Sequence, residues 1–268
     1  MNRQNVTTSN HSFTESTSCH FFHVGLIVTG RGEREHLPKL FKSLMTTGIC
    51  TFKVIQFIGQ RGPITSPKQR LKMVGSGKII PDRDEQKIGL PARRYLSADQ
   101  CHLVVLVDDL EHDRRAQVQQ VFDRYRLALD TMLTDNQKRR AAVHFLVNML
   151  EAYYFADARA FNEALNLTPP LSDWPGDVER IPNPKSELRE RYPGFKEVED
   201  GEKILDCINI EHVLSRPDTC AWLRTLFAWC VKVLERYPSY ESLSLSNKYR
   251  LHDGILSDVT RTQLDNLH

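Results

Sequence analysis

The sequence predicts an α/β fold: a small, mostly parallel sheet flanked by helices, with a helical C-terminal extension. Three observations carry this. Short apolar, β-branched runs alternate with amphipathic stretches up to about residue 165. Those runs are apolar throughout, as strands buried on both faces are. Beyond residue 165 such runs stop, while helical periodicity continues.

The elements follow in order. His23-Val24-Gly25-Leu26-Ile27-Val28 is the first strand, ending at Gly30 and Gly32. Leu37, Leu40, Phe41, Leu44 and Met45 share one helical face, and Gly48 is placed to stop that helix. Phe52 to Ile58 is the second strand, which completes a right-handed βαβ unit. Residues 61–94 hold eight Gly and Pro residues and no long apolar stripe. That predicts an extended insertion with at most short helical pieces. His102 to Val107 is the third strand and runs into Asp108-Asp109-Leu110-Glu111. A helix follows, with Val118, Val121, Phe122, Tyr125, Leu129, Met132 and Leu133 on one face. Ala142 to Asn148 is the fourth strand, leading into a helical stretch over 149–157. Prolines between 169 and 193 mark an irregular connection, and a strong helix spans Cys220 to Arg236. Residues 1–20, rich in Thr, Ser and Asn, read as a disordered tail. The α/β domain then occupies 21–165 and the mainly helical extension 166–268.

Composition narrows the function classes. Hydrophobic residues make up 40% of the 268, enough for a sizeable core. No apolar run reaches the roughly 18 residues of a membrane span. The net charge of +2 excludes a protein that coats nucleic acid generally. The first 20 residues lack the apolar segment of a secretory signal, and the six cysteines are scattered without a CxxC pair. A cytoplasmic location without a disulfide framework is expected.

Ligands of open parallel sheets bind beyond the carboxyl ends of the strands. Two acidic clusters fall there: Glu33 and Glu35 after strand 1, and Asp108, Asp109 and Glu111 after strand 3. Glu151 follows strand 4. Carboxylates gathered at one sheet edge repel each other unless a cation intervenes, and hard oxygen donors suit Mg2+ or Mn2+. Helix capping is the competing explanation for each acidic residue. His36, His112 and His144 are candidates for proton transfer, against ordinary surface or packed histidines. The 61–94 insertion carries nine basic against three acidic residues, a local +6 that leaves −4 elsewhere. Arg61, Lys68, Arg70, Lys72 and Lys78 are candidate phosphate-backbone contacts, with Lys185 from further along the chain. A solvated loop explains the same charges. Gly75-Ser76-Gly77-Lys78 lacks the full phosphate-loop pattern, so ATP binding by this chain is not expected.

The motif order resembles a Toprim domain. Leu26-Ile27-Val28-Thr29-Gly30-Arg31-Gly32-Glu33-Arg34-Glu35 is similar to the Toprim opening strand and loop. Val105-Leu106-Val107-Asp108-Asp109-Leu110-Glu111 is similar to the second motif, with Asp109-x-Glu111 as the better register and Asp108 the alternative. The stretch from His144 to Asp157, with its Glu151-Ala152 step, resembles a bacterial Toprim-like family of uncharacterised proteins. The resemblance covers roughly 22–235. It implies a metal-dependent nuclease related to the OLD group, with Glu33 and Asp109 as catalytic carboxylates. Mg2+ or Mn2+ would be held by Glu33, Asp108, Asp109, Glu111 and Glu151. It also implies an ATPase partner in antiphage defence. One departure stands out: Thr29 occupies the place of the expected first Glu. A hydroxyl does not replace a carboxylate as ligand or base, so a catalytically degenerate sensor or adaptor that binds a partner protein is the rival reading.

Overall fold

A computed structural model describes residues 19–59, 62–64 and 81–265, without the side chains of residues 112 and 113. The disordered-tail assignment over 1–18, the loop residues Arg61, Lys68, Arg70, Lys72 and Lys78, and the His112 side chain lie outside the described residues.

Four strands make one all-parallel sheet: β1 (Phe22–Val28), β2 (Cys50–Phe57), β3 (His102–Leu110) and β4 (Ala141–Val147), in the order β2-β1-β3-β4. The helices in chain order are α1 (Arg31–Leu40), α2 (Lys42–Met45), α3 (Leu90–Leu96), α4 (Val118–Met132), α5 (Asp135–Lys138) and α6 (Ala158–Leu165). Then come α7 (Pro184–Arg191), α8 (Glu197–Cys207), α9 (Ile210–Ser215), α10 (Ala221–Leu234) and α11 (Leu245–Lys248). None of the described helices is long and apolar enough to cross a membrane.

The sheet is buried on both faces, which is why its strands read as continuous apolar runs. Successive side chains of β3 alternate between the faces. Leu103, Val105 and Val107 join the larger core, shared with Leu37 and Leu40 of α1 and with α8 and α10. Val104, Leu106 and Leu110 join the second core, with Phe122, Tyr125 and Leu129 of α4. The edge strand β4 is fully buried. Gln263 covers its backbone, donating to the Val143 carbonyl and accepting from the Val143 N–H, so this edge is not left open for pairing.

Three expectations need correcting. The second half of the 61–94 insertion is a helix. A π-helical turn, Glu85–Gly89, runs directly into α3. Its start is a capping box: Asp82 accepts from the Asp84 and Glu85 N–H groups, and Glu85 accepts from the Asp82 N–H. Ile88, Ala92 and Leu96 then face the second core. Gly89 and Pro91 read as helix breakers, yet each has a place here. Gly89 packs so tightly on the Ala128 carbonyl that any Cβ would clash, and Pro91 lies where the π-helical turn passes into α3.

The second correction concerns cysteine. Cys19 and Cys101 are disulfide-bonded across 82 residues. They meet because β1 and β3 are parallel neighbours whose entries lie side by side; the His23 N–H donates to the Cys101 carbonyl. Cys19 is fully buried and so belongs to the folded domain rather than to the tail. The third concerns strand length. β3 continues to Leu110, so Asp108 and Asp109 are strand residues and neither caps the following helix.

Candidate functional site

The carboxyl ends of β1, β3 and β4 open into one cleft of about 510 Å3. Glu33, Asp109, Glu111, Glu151 and Lys185 line it, together with Thr29, His36, Tyr154 and Glu197. Thus residues separated by more than 100 positions converge because three parallel strands end side by side, and α7 and α8 add Lys185 and Glu197.

Glu33 stands in the first turn of α1. Its carboxylate folds back over Gly30, where any Cβ would collide with Oε2. It is 3% exposed. Burial raises its pKa to about 7, with Glu151 and Asp108 adding to the rise. Asp109 is pushed well above the ordinary carboxylate range by burial, then by the charges of Glu33 and Glu151. Its Oδ1 is buried with no hydrogen-bond partner. Burial also raises the pKa of Glu151. These are carboxylates whose ionisation the protein itself disfavours, as expected of a donor set short of positive charge.

Two strained residues bring Glu151 into place. Asn148 and Met149 both have positive φ, at 58° and 72°, which turns the chain sharply from β4 into the 3-10 turn Leu150–Ala156. Non-glycine residues hold such angles only where surrounding contacts enforce them. The Asn148 side chain donates to the Glu179 carbonyl and fixes the turn.

Lys185, in the first turn of α7, lies 2.8 Å from Glu197 and 3.5 Å from Glu151. Desolvation lowers its pKa, but Glu151 and Glu197 outweigh this and leave it raised. It is the internal counter-ion of the cleft.

Asp108 is not in the cleft. The twofold alternation of β3 sends it to the opposite face. There it is fully buried and accepts hydrogen bonds from Arg114, the Tyr125 hydroxyl and Thr29. Its placement as a metal ligand is therefore corrected: a buried guanidinium already neutralises it. Glu35 is likewise outside, exposed and paired with Arg34. His144 is sealed in the sheet core, where burial drives its pKa down to about 3. His36 does line the cleft, with its Nε2 buried and unpartnered.

Thr29, the departure from the Toprim pattern, ties the two aspartates together. Its hydroxyl donates to Asp108 Oδ1 at 2.7 Å and accepts from the Asp109 N–H at 3.0 Å. Sequence reasoning passed over Tyr154 and Glu197, which line the cleft from the turn after β4 and from α8. Nothing in their local spacing marks them, although Tyr154 lies within the Glu-Ala-aromatic stretch.

A second cluster lies elsewhere. Asp157, Asp173 and His212 bring three ligand atoms within 4.8 Å of one another, a spacing a cation can bridge. Each acidic oxygen there already has a protein partner. Asp157 caps α6 and accepts from the Asn209 N–H; Asp173 accepts from the Ala158 N–H and pairs with His212. Among the described residues, no three carboxylates of the main cleft reach this spacing.

Fold and site together define an α/β protein with a carboxylate-lined cleft at the carboxyl edge of a parallel sheet. Residues 28–227 match the family described as "Domain of unknown function (DUF4276)", and the chain belongs to that family. No curated protein and no solved structure matches it. The Toprim resemblance rests on the motifs alone.

Proposed function

We propose that the protein is a Toprim-like, metal-dependent nuclease acting on DNA or RNA. One observation carries this: Glu33, Asp109, Glu111 and Glu151 share a single cleft with Lys185. The donor set fits Mg2+ or Mn2+, since it is all carboxylate and includes a buried, unpartnered oxygen on Asp109. Glu33, Asp109 and Glu151 would hold the ion after closing from their present spacing, which exceeds 4.8 Å for the three together, with Glu111 at the rim. A divalent ion in such a site supplies Lewis-acid stabilisation of the charge that builds on a phosphoryl group.

The chain's own groups do the rest. Glu33, with a pKa near neutrality before any ion binds, would give up its proton as its carboxylate takes the ion. Lys185 can leave Glu197 to neutralise a non-bridging phosphate oxygen. The basic residues Arg61, Lys68, Arg70, Lys72 and Lys78 remain proposed backbone contacts, and an ATPase partner in antiphage defence remains part of the same proposal. The test is incubation of purified protein with DNA and RNA, with and without Mg2+ or Mn2+. Cleavage that needs the metal and is lost in Asp109→Asn supports the reading. No cleavage of either polymer, or full activity in Asp109→Asn, overturns it.

A second reading is favoured by two observations. The cleft carboxylates do not converge within 4.8 Å in threes, and Lys185 already balances part of their charge. A sensor or adaptor subunit that binds a partner protein would keep such a cleft without catalysis. Such a protein would show neither cleavage nor metal-dependent stabilisation.

A further inference from the structure

A second charged groove lies at the other end of the sheet. Arg139, Arg140, Lys232, Glu235 and Arg236 line a cavity of about 270 Å3. Arg140 leads into β4, and Lys232 to Arg236 close the carboxyl end of α10. The seven residues of β4 separate this groove from the acidic cleft, a span of about 20 Å.

Four cations and one carboxylate line the groove, and the Asp99 charge also acts on Arg140. None of the four has an Asp or Glu oxygen within ion-pairing distance among the described residues, although Arg126 and Lys138 nearby are paired with Asp130 and Asp135. The C-terminal dipole of α10 accounts for cations at Lys232 and Arg236. It does not account for Arg140. Arg140 is 9% exposed, and its guanidinium is clamped by the carbonyls of Leu96, Asp99 and His102 while Nε is buried without a partner. Neutral carbonyls fix its position without cancelling its charge. Burial lowers its pKa and the neighbouring Arg236 charge lowers it further, outweighing the opposing effect of Asp99. Arg140 is the buried member, Lys232 is half-buried, and Arg139 and Arg236 are exposed at the rim; a buried cation beside like charges is favoured when an anion joins them.

We propose that this groove binds a phosphate-bearing anion carrying two or more charges. Arg140 supplies a fixed charge, and Arg139, Lys232 and Arg236 close on the phosphate oxygens. Guanidinium forks match phosphate geometry, and a multiply charged anion is needed to balance the excess. The phosphate can come from a free polyphosphate or from a nucleic-acid backbone.

The test uses the full chain in EDTA, so that it does not depend on metal in the acidic cleft. Tripolyphosphate is titrated calorimetrically, and a labelled single-stranded DNA is followed by fluorescence anisotropy. The wild type should bind tripolyphosphate with a Kd below about 1 mM, and R139Q/K232Q/R236Q should bind about tenfold more weakly. Binding of tripolyphosphate alone identifies a free polyphosphate; binding of DNA as well identifies a backbone. In the unmodified protein, tripolyphosphate should also slow acetylation of Lys232. Absence of binding by both probes, equal binding by the triple variant, or an unchanged acetylation rate overturns the proposal.

Discussion

Thr29→Val tests how the two aspartates of β3 are kept apart. The substitution keeps the branched shape and removes only the hydroxyl, which is why it is not a neutral swap in a core. Thr29 is 1% exposed. Its hydroxyl donates to Asp108 and accepts from the Asp109 N–H. The first bond, to a charged acceptor, is worth about 1.5–3 kcal/mol, and an orphaned buried N–H costs about 1–3 kcal/mol. The two are coupled through one oxygen, so the expected loss is about 2–4 kcal/mol rather than their sum. Asp108 keeps Arg114 and Tyr125, which holds the loss below that of an unpaired buried charge. Urea unfolding at pH 7.5 reads this as a lower midpoint at unchanged slope. Thr29→Ser keeps the hydroxyl and should lose far less. A Thr29→Val protein within about 0.5 kcal/mol of wild type, or one no worse than Thr29→Ser, refutes the bridging role.

Three further outcomes follow from particular residues. His144→Leu should stabilise the protein by about 1–3 kcal/mol at pH 8, because both ring nitrogens are buried without partners. The folded-state pKa of His144 lies near 3, below its unfolded value of about 6.5. Wild type therefore loses stability as pH falls from about 6.5 towards 3, and the variant's advantage should widen over that range; a constant difference across pH would count against it. Gly30→Ala should leave stability nearly unchanged, since φ there is −92°, yet displace the Glu33 carboxylate and weaken Mn2+ binding; unaltered binding would show that Glu33 does not depend on Gly30. Alkylation of the unfolded protein without reductant should label four cysteines by mass spectrometry, namely Cys50, Cys207, Cys220 and Cys230. Labelling of all six would contradict the Cys19–Cys101 bond.

Much of the fold was legible because buried parallel strands leave unbroken apolar runs. The four strands could be read that way, and the α1, α4 and α10 faces from apolar residues at helical spacing. The helix before β3 was hidden because Gly89 and Pro91 mask it to a breaker count, although the Asp82–Glu85 capping box is visible in the sequence. The disulfide was hidden because strand adjacency, not spacing, brings Cys19 to Cys101. At the site, strand parity decides between Asp108 and Asp109. Parity becomes readable once β3 is known to extend to Leu110. The partner that removes Asp108, Arg114, lies six residues on, in the turn after the strand. Glu197 reaches the cleft only through helix packing, for which local sequence holds no signal.

The proposed nuclease function requires the cleft to be a divalent-cation site. Titration of the protein with Mn2+, followed by electron paramagnetic resonance at pH 7.5, measures this without any substrate. Wild type should bind Mn2+ with an affinity reduced at least about tenfold in both Glu33→Gln and Asp109→Asn, while Glu35→Gln binds as wild type does. Binding that is absent in wild type, or that survives both substitutions, would contradict it.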